Sequence, residues 1–130
     1  MKNLRIFSGL MAIFMFGFIY YVSSIQFPPP PPGVSFNGKA IIYHISVFFL
    51  LSMFLYISMA KKELDGRIFS IMSISLVYAM LDELHQYFVP GRFMSVNDVL
   101  IDSIGITFST LIYFIIIEVK KKNILNLWNL

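Results

Sequence analysis

Four long apolar runs, separated by short polar stretches, organise the chain. A helix rises about 1.5 Å per residue, so about 20 apolar residues span the hydrocarbon layer of a bilayer. We therefore predict transmembrane helices over residues 6–25, 41–59, 68–88 and 98–119. The predicted fold class is all-α: an integral membrane bundle of four transmembrane helices in a single domain, residues 1–130.

The composition supports a membrane protein and excludes several other classes. The chain is 58% hydrophobic and 13% charged, whereas soluble domains are about one quarter charged. It has no cysteine, which excludes disulfides and thiolate metal sites. The net charge of +3 forms no basic stripe, so nothing in the sequence supports nucleic-acid binding. The first run exceeds the usual signal-peptide length and lacks a clear cleavage site, which disfavours removal.

Proline marks two of the connections. Five consecutive prolines at residues 28–32 predict a polyproline II rod, which serves either as a stiff linker or as a recognition arm. Pro90 and Gly91 predict a tight turn between the third and fourth helices.

The basic residues predict the orientation of the bundle. Lysine and arginine beside transmembrane helices concentrate on the cytoplasmic side. Only Lys39 and Arg92 fall in the connections assigned to the outside, so both termini are expected in the cytoplasm. The other basic residues fall on the opposite side: Lys2, Arg5, Lys61, Lys62, Arg67, Lys120, Lys121 and Lys122.

Seven polar side chains fall near the outer ends of the predicted helices. The second and fourth helices begin outside and the third ends there, so the seven should lie at one depth. They are His44, Asp82, Glu83, His85, Gln86, Asp98 and Asp102. On the third helix, Asp82, His85 and Gln86 are spaced to share one face, and Glu83 points about 100° away from Asp82.

Some of these polar residues have a structural alternative to a functional role. Asp98 follows Ser95 by three residues, the spacing of a capping box, so helix capping and ligand binding both remain open. Asp102 lies one turn deeper, where a charge is costly unless it is paired or hydrated. Gly105 on the same face would let another helix approach closely. His44 is either a packing histidine or part of the polar group.

Residues 82–105, DELHQYFVPGRFMSVNDVLIDSIG, resemble the signature of the VanZ-like family of small bacterial membrane proteins. That signature reads D-E-x-H-Q-x-x-x-P-x-R, then a short spacer and D-x-x-x-D-x-x-G. Lys39 and His44 are similar to a lysine and a histidine at the outer start of the family's second helix. Gly38 stands where the family often has aspartate, and the first helix lies outside the resemblance. The matching signature residues are Asp82, Glu83, His85, Gln86, Pro90, Arg92, Asp98, Asp102 and Gly105.

The resemblance implies a multi-pass protein of the bacterial cytoplasmic membrane, with a founding member linked to resistance to the glycopeptide teicoplanin. On this basis the chain is expected to act at the outer face and to lower glycopeptide susceptibility. Its expected partners are membrane lipids, a lipid-linked envelope precursor or the glycopeptide itself. The family alone does not fix the function, and the sequence leaves the oligomeric state open.

Two function classes remain open. In the first, the protein binds a lipid or lipid-linked envelope molecule: Lys39 and Arg92 hold an anionic headgroup, with Arg92 offering a planar fork to phosphate. The remaining candidate ligand-binding residues are His44, Asp82, Glu83, His85, Gln86, Asp98 and Asp102.

In the second class, the protein is a membrane enzyme that acts on a phospholipid or polyprenyl-phosphate headgroup. The candidate acid–base residues are Asp82, Glu83, His85 and Asp102. The histidines and carboxylates could also hold a divalent metal, but their spacing matches no established metal motif, so no cofactor is predicted. No serine or cysteine nucleophile constellation is present in the sequence.

Overall fold

The computed structural model describes residues 2–26, 38–59 and 66–128, with side chains described as far as residue 122. The described residues form four helices and no strand, which confirms the predicted all-α class. The helices are α1 (Lys2–Ser23), α2 (Gly38–Ser58), α3 (Arg67–Tyr87) and α4 (Val96–Trp128). The predicted proline rod lies outside the described residues.

The helix ends differ from the prediction where polar residues border an apolar run. The fourth helix was expected to end at residue 119, but α4 continues through three lysines to Trp128. Lysine is a good helix former, so the end of the apolar run does not end the helix. The Pro90–Gly91 turn is confirmed: Gly91 has a φ of 82°, and the Arg92 backbone N–H donates to the Val89 carbonyl at 3.1 Å.

Helix α2 is the centre of the bundle. It packs against α1, α3 and α4, and most extensively against α4, whereas α1 and α4 do not touch in the described part of the chain. The apolar core draws side chains from all four helices. Its members are Met15, Ile19, Val47, Phe48, Leu51, Ala79 and Ile106.

Helices α2 and α4 approach each other closely at Gly105. A β-carbon added to Gly105 would overlap the Ile45 carbonyl oxygen and lie 3.1 Å from the Phe49 backbone nitrogen. Both atoms belong to the main chain of α2, which cannot move aside as a side chain can. Gly105 therefore sets the distance between α2 and α4, as its small size predicted.

Neutral hydroxyl groups join the helices in the half of the bundle that contains the C-terminus of α2 and the N-terminus of α3. Ser52 on α2 donates to Ser75 on α3 at 3.0 Å. The Tyr56 hydroxyl lies 2.9 Å from the Thr110 hydroxyl of α4 and also donates to the Ile68 carbonyl at 3.3 Å. Hydrogen bonds of this kind connect helices inside a membrane, where lipid supplies no competing donor.

The outer surface of the bundle is apolar. All four helices are long and apolar enough to cross a membrane, and large hydrophobic side chains on each of them are exposed. A surface of this kind is stable against lipid and unstable in water. The chain is thus a multi-pass membrane protein, and which end faces outward remains a prediction from the basic residues.

Candidate functional site

Most of the predicted site residues meet at one end of the bundle. The end concerned is formed by the C-termini of α1 and α3 and the N-termini of α2 and α4. Five polar side chains, which we call the polar layer, are buried there: His44, Asp82, Glu83, Gln86 and Asp102.

The other predicted residues lie around this layer. Arg92 and His85 are half-buried and lie at its edge. Lys39 is exposed on the first turn of α2. Asp98 is half-buried on the first turn of α4.

Gln86 links the cation at the edge of the layer to two buried carboxylates. Its side-chain nitrogen donates to Asp82 Oδ2 and Glu83 Oε1, each at 3.0 Å. Its side-chain oxygen accepts from Arg92 Nε at 3.1 Å and Nη2 at 2.6 Å. Since only one amide orientation satisfies all four contacts, Gln86 is fixed in place.

Glu83 connects α3 to the start of α4. Its Oε2 accepts the Ser95 backbone N–H at 2.8 Å, and Ser95 Oγ in turn accepts the Asp98 N–H at 3.2 Å. Ser95 therefore caps α4 as its sequence position predicts, but Glu83 accepts the backbone N–H that Asp98 would accept in a capping box. Glu83 is only 1% exposed. Its buried carboxylate satisfies the Ser95 N–H at the start of α4, and that N–H in turn stabilises the carboxylate.

His44 and Asp102 form a buried pair between α2 and α4. His44 Nδ1 lies 2.9 Å from Asp102 Oδ1, directly above the close approach at Gly105. Asp102 is 0% exposed, and its second oxygen, Oδ2, has no hydrogen-bond partner among the described residues. The pair thus favours the polar-group interpretation of His44 over simple packing.

The predicted face of α3 requires a correction. Asp82 and Gln86 share the buried face as predicted, but Glu83 lies on that face too, and His85 lies on its flank. His85 contacts α1: its Nε2 is 2.9 Å from Ser24 Oγ, and its ring lies 4.5 Å from that of Tyr20. Since the single Ser24 hydroxyl hydrogen goes to the Tyr20 carbonyl, His85 Nε2 is the donor.

The C-terminal end of α1 and the residue that follows it supply side chains that the sequence interpretation missed. Ser23 is buried and its hydroxyl donates to Asp82 Oδ1, while Ser24 holds His85. The available signal was a pair of adjacent serines ending an apolar run, at the depth predicted for the other polar residues. Tyr43 was also missed: its hydroxyl is buried, has no partner among the described residues and lies within electrostatic range of Asp82 and Asp102.

Three side chains of the polar layer could share one ligand. His44, Glu83 and Asp102 each offer an atom, and these atoms lie within 4.8 Å of one another. An imidazole with two carboxylates is chemically suited to a divalent cation or to shared protons.

One protein-family profile matches most of the chain. The sequence profile described as VanZ/LLP1 matches residues 2–117. The chain belongs to the VanZ/LLP1 family. The match includes α1, which corrects the narrower resemblance drawn from the second to fourth helices and fits the contacts of Ser23 and Ser24. Neither a curated protein nor a solved structure matches the chain.

Proposed function

We propose that this VanZ/LLP1 protein binds the headgroup of a lipid or lipid-linked envelope molecule at the outer face of the bacterial cytoplasmic membrane. The observation that carries the proposal is the polar layer: helices from across the sequence bring buried carboxylates and a histidine to one depth. Buried charges inside a membrane are costly and rare, and they usually mark a ligand or ion path. Helix packing alone does not require them, since neutral hydroxyls join the same helices elsewhere.

The edge of the polar layer has the surface expected for a lipid headgroup site. Aromatic side chains surround the 88–95 turn, with Phe88 73% and Phe93 80% exposed. Aromatic residues are enriched at the level of the headgroups. Arg92 lies in the same turn and provides positive charge beside them, which suits a phosphate.

The proposal gives Arg92 a second role beside the phosphate binding expected from its fork. Nε and Nη2 both donate to Gln86 Oε1. We infer that Arg92 attracts an anionic headgroup by charge and, through Gln86, orients Asp82 and Glu83. Lysine keeps the charge but cannot reproduce the paired donors.

A second candidate function is an enzyme that acts on a phospholipid or polyprenyl-phosphate headgroup. The proximity of His44, Glu83 and Asp102 favours it, because these groups could transfer protons or position water. Turnover of a lipid phosphate by the purified protein would distinguish it from binding alone.

Lipid retention tests the proposal. The protein is purified in mild detergent, offered phosphatidylglycerol, polyprenyl phosphate or a zwitterionic lipid, and analysed for bound lipid by native mass spectrometry. We expect wild type to retain an anionic lipid and Arg92→Lys to retain markedly less. Arg5→Lys is the matched control, since Arg5 donates to the Ser58 carbonyl at the opposite end of the bundle. Equal retention by both variants would contradict the proposal.

The glycopeptide role is a separate extension of the proposal. If the bound molecule is one that teicoplanin also engages outside the membrane, cells producing the protein should tolerate more teicoplanin than cells lacking it. The measurement is the minimal inhibitory concentration with wild type and with Arg92→Lys at equal membrane levels. Lipid binding without any change in teicoplanin susceptibility would contradict the glycopeptide role but not the proposed lipid binding.

A further inference from the structure

The His44, Glu83 and Asp102 side chains come from three helices and close around one point. All three are buried, and their available ligand atoms lie within 4.8 Å of one another. A metal ion with ligands at about 2.0–2.2 Å separates tetrahedral ligand atoms by about 3.3–3.6 Å. Shifts of about an ångström in the side chains would therefore bring all three ligand atoms to bonding distance from one ion.

An independent observation points to a missing ligand. Asp102 Oδ2 is buried in a side chain that is 0% exposed, and it accepts no hydrogen bond from any described residue. Native proteins rarely leave such an oxygen unsatisfied, so an ion or a water is expected beside it. The hydroxyl of the neighbouring Tyr43 is likewise buried without a described partner.

The surrounding contacts match those that hold metal ligands in place. Glu83 accepts hydrogen bonds from Gln86 and the Ser95 backbone, which fix its orientation and leave it lone pairs for a cation. Hydrogen bonds of this kind orient metal ligands in known sites. The charge also matches, because two buried carboxylates beside an imidazole are neutralised by one divalent ion.

We propose that His44, Glu83 and Asp102 form a binding site for one divalent transition-metal ion, of the zinc or manganese type. The imidazole selects against calcium, which takes six to eight oxygen ligands, and the two carboxylates accept manganese or zinc. Three protein ligands leave a coordination position for water or for an anionic oxygen of a ligand. The inference stands on the side-chain geometry and does not depend on the proposed lipid function.

Metal binding to the purified protein tests this site. The full chain is purified with a histidine-free affinity tag, stripped with a chelator, and titrated with Zn²⁺, Mn²⁺ or Ca²⁺. The readouts are bound metal by mass spectrometry of the elements and the shift in the thermal unfolding midpoint. We expect about one Zn²⁺ or Mn²⁺ per chain with a raised midpoint, and no such effect of Ca²⁺.

Substitutions distinguish specific metal binding at this site from adventitious metal binding elsewhere. Asp102→Asn and Glu83→Gln keep the side-chain shape and should weaken metal binding more than tenfold. Glu118→Gln makes the same acid-to-amide change at the opposite end of α4 and should bind like wild type. Circular dichroism and size-exclusion profiles establish which variants are folded. Absence of stoichiometric metal in wild type, undiminished binding in both folded site variants, or equal binding of Ca²⁺ would each overturn the proposal.

Discussion

Different chemical groups join the helices in the two halves of the bundle. In the half away from the polar layer, Ser52 contacts Ser75 and Tyr56 contacts Thr110, so neutral hydroxyls connect three helices. In the half that holds the polar layer, the same helices are connected through ionisable groups such as His44 and Asp102. Neutral hydrogen bonds are sufficient to pack these helices together. The buried ionisable side chains are more costly, and their presence therefore supports a function beyond stability.

The largest expected effect is a difference in thiol labelling between the two ends of the bundle, which should face opposite sides of the membrane. The chain has no native cysteine, so single cysteines report position cleanly. Phe93→Cys, in the exposed turn beside the polar layer, should react in intact cells with a membrane-impermeant thiol reagent. Lys120→Cys, at the other end, should react only after the membrane is permeabilised. Labelling of Lys120→Cys in intact cells would contradict the predicted orientation.

Gly105→Ala should damage the bundle most among single substitutions. The new methyl group would overlap the main chain of α2, and overpacking against a rigid neighbour costs about 3 kcal/mol. The free energy of unfolding in detergent measures the change. Gly17→Ala is the matched control, since a β-carbon there meets nothing within 4 Å. If both variants unfold alike, Gly105 does not set the distance between α2 and α4.

Gln86→Leu should have an intermediate effect. It removes the donor to Asp82 Oδ2 and Glu83 Oε1, which leaves these buried oxygens without that hydrogen bond at a cost of about 1–3 kcal/mol, and it removes one acceptor of Arg92. We expect a lower thermal unfolding midpoint together with weakened lipid retention. A variant with unchanged retention would show that the link between Arg92 and the carboxylates serves stability alone.

Ser52→Ala should have the smallest effect. It removes one neutral hydrogen bond to Ser75, and such bonds between transmembrane helices contribute about 0.6 kcal/mol. Lipid retention should equal that of wild type, because the change lies in the half of the bundle away from the polar layer. A loss of retention without a loss of stability would contradict the functional division between the two halves.

The sequence predicted features that depend on depth and spacing, and missed those that depend on helix rotation. Residue types along the chain were enough to predict the four transmembrane helices, the Pro90–Gly91 turn and the close helix approach at Gly105. The buried position of Glu83 could not be predicted in this way, because its carboxylate accepts the N–H of Ser95, a partner before α4 that the pattern of the third helix does not reveal. Ser23 was missed because a serine near the end of an apolar run gives no sign of its partner.

Substitution of Asp102 tests most directly the central claim that the polar layer is a functional site. Bacteria lacking the gene would carry wild type, Asp102→Asn or Glu118→Gln, with protein levels in the membrane matched. Envelope lipids and cell-wall precursors would then be compared by mass spectrometry. We predict that wild type and Glu118→Gln give one profile, and that Asp102→Asn gives the profile of cells without the protein. Full restoration by Asp102→Asn would show that the polar layer is structural and would contradict the account.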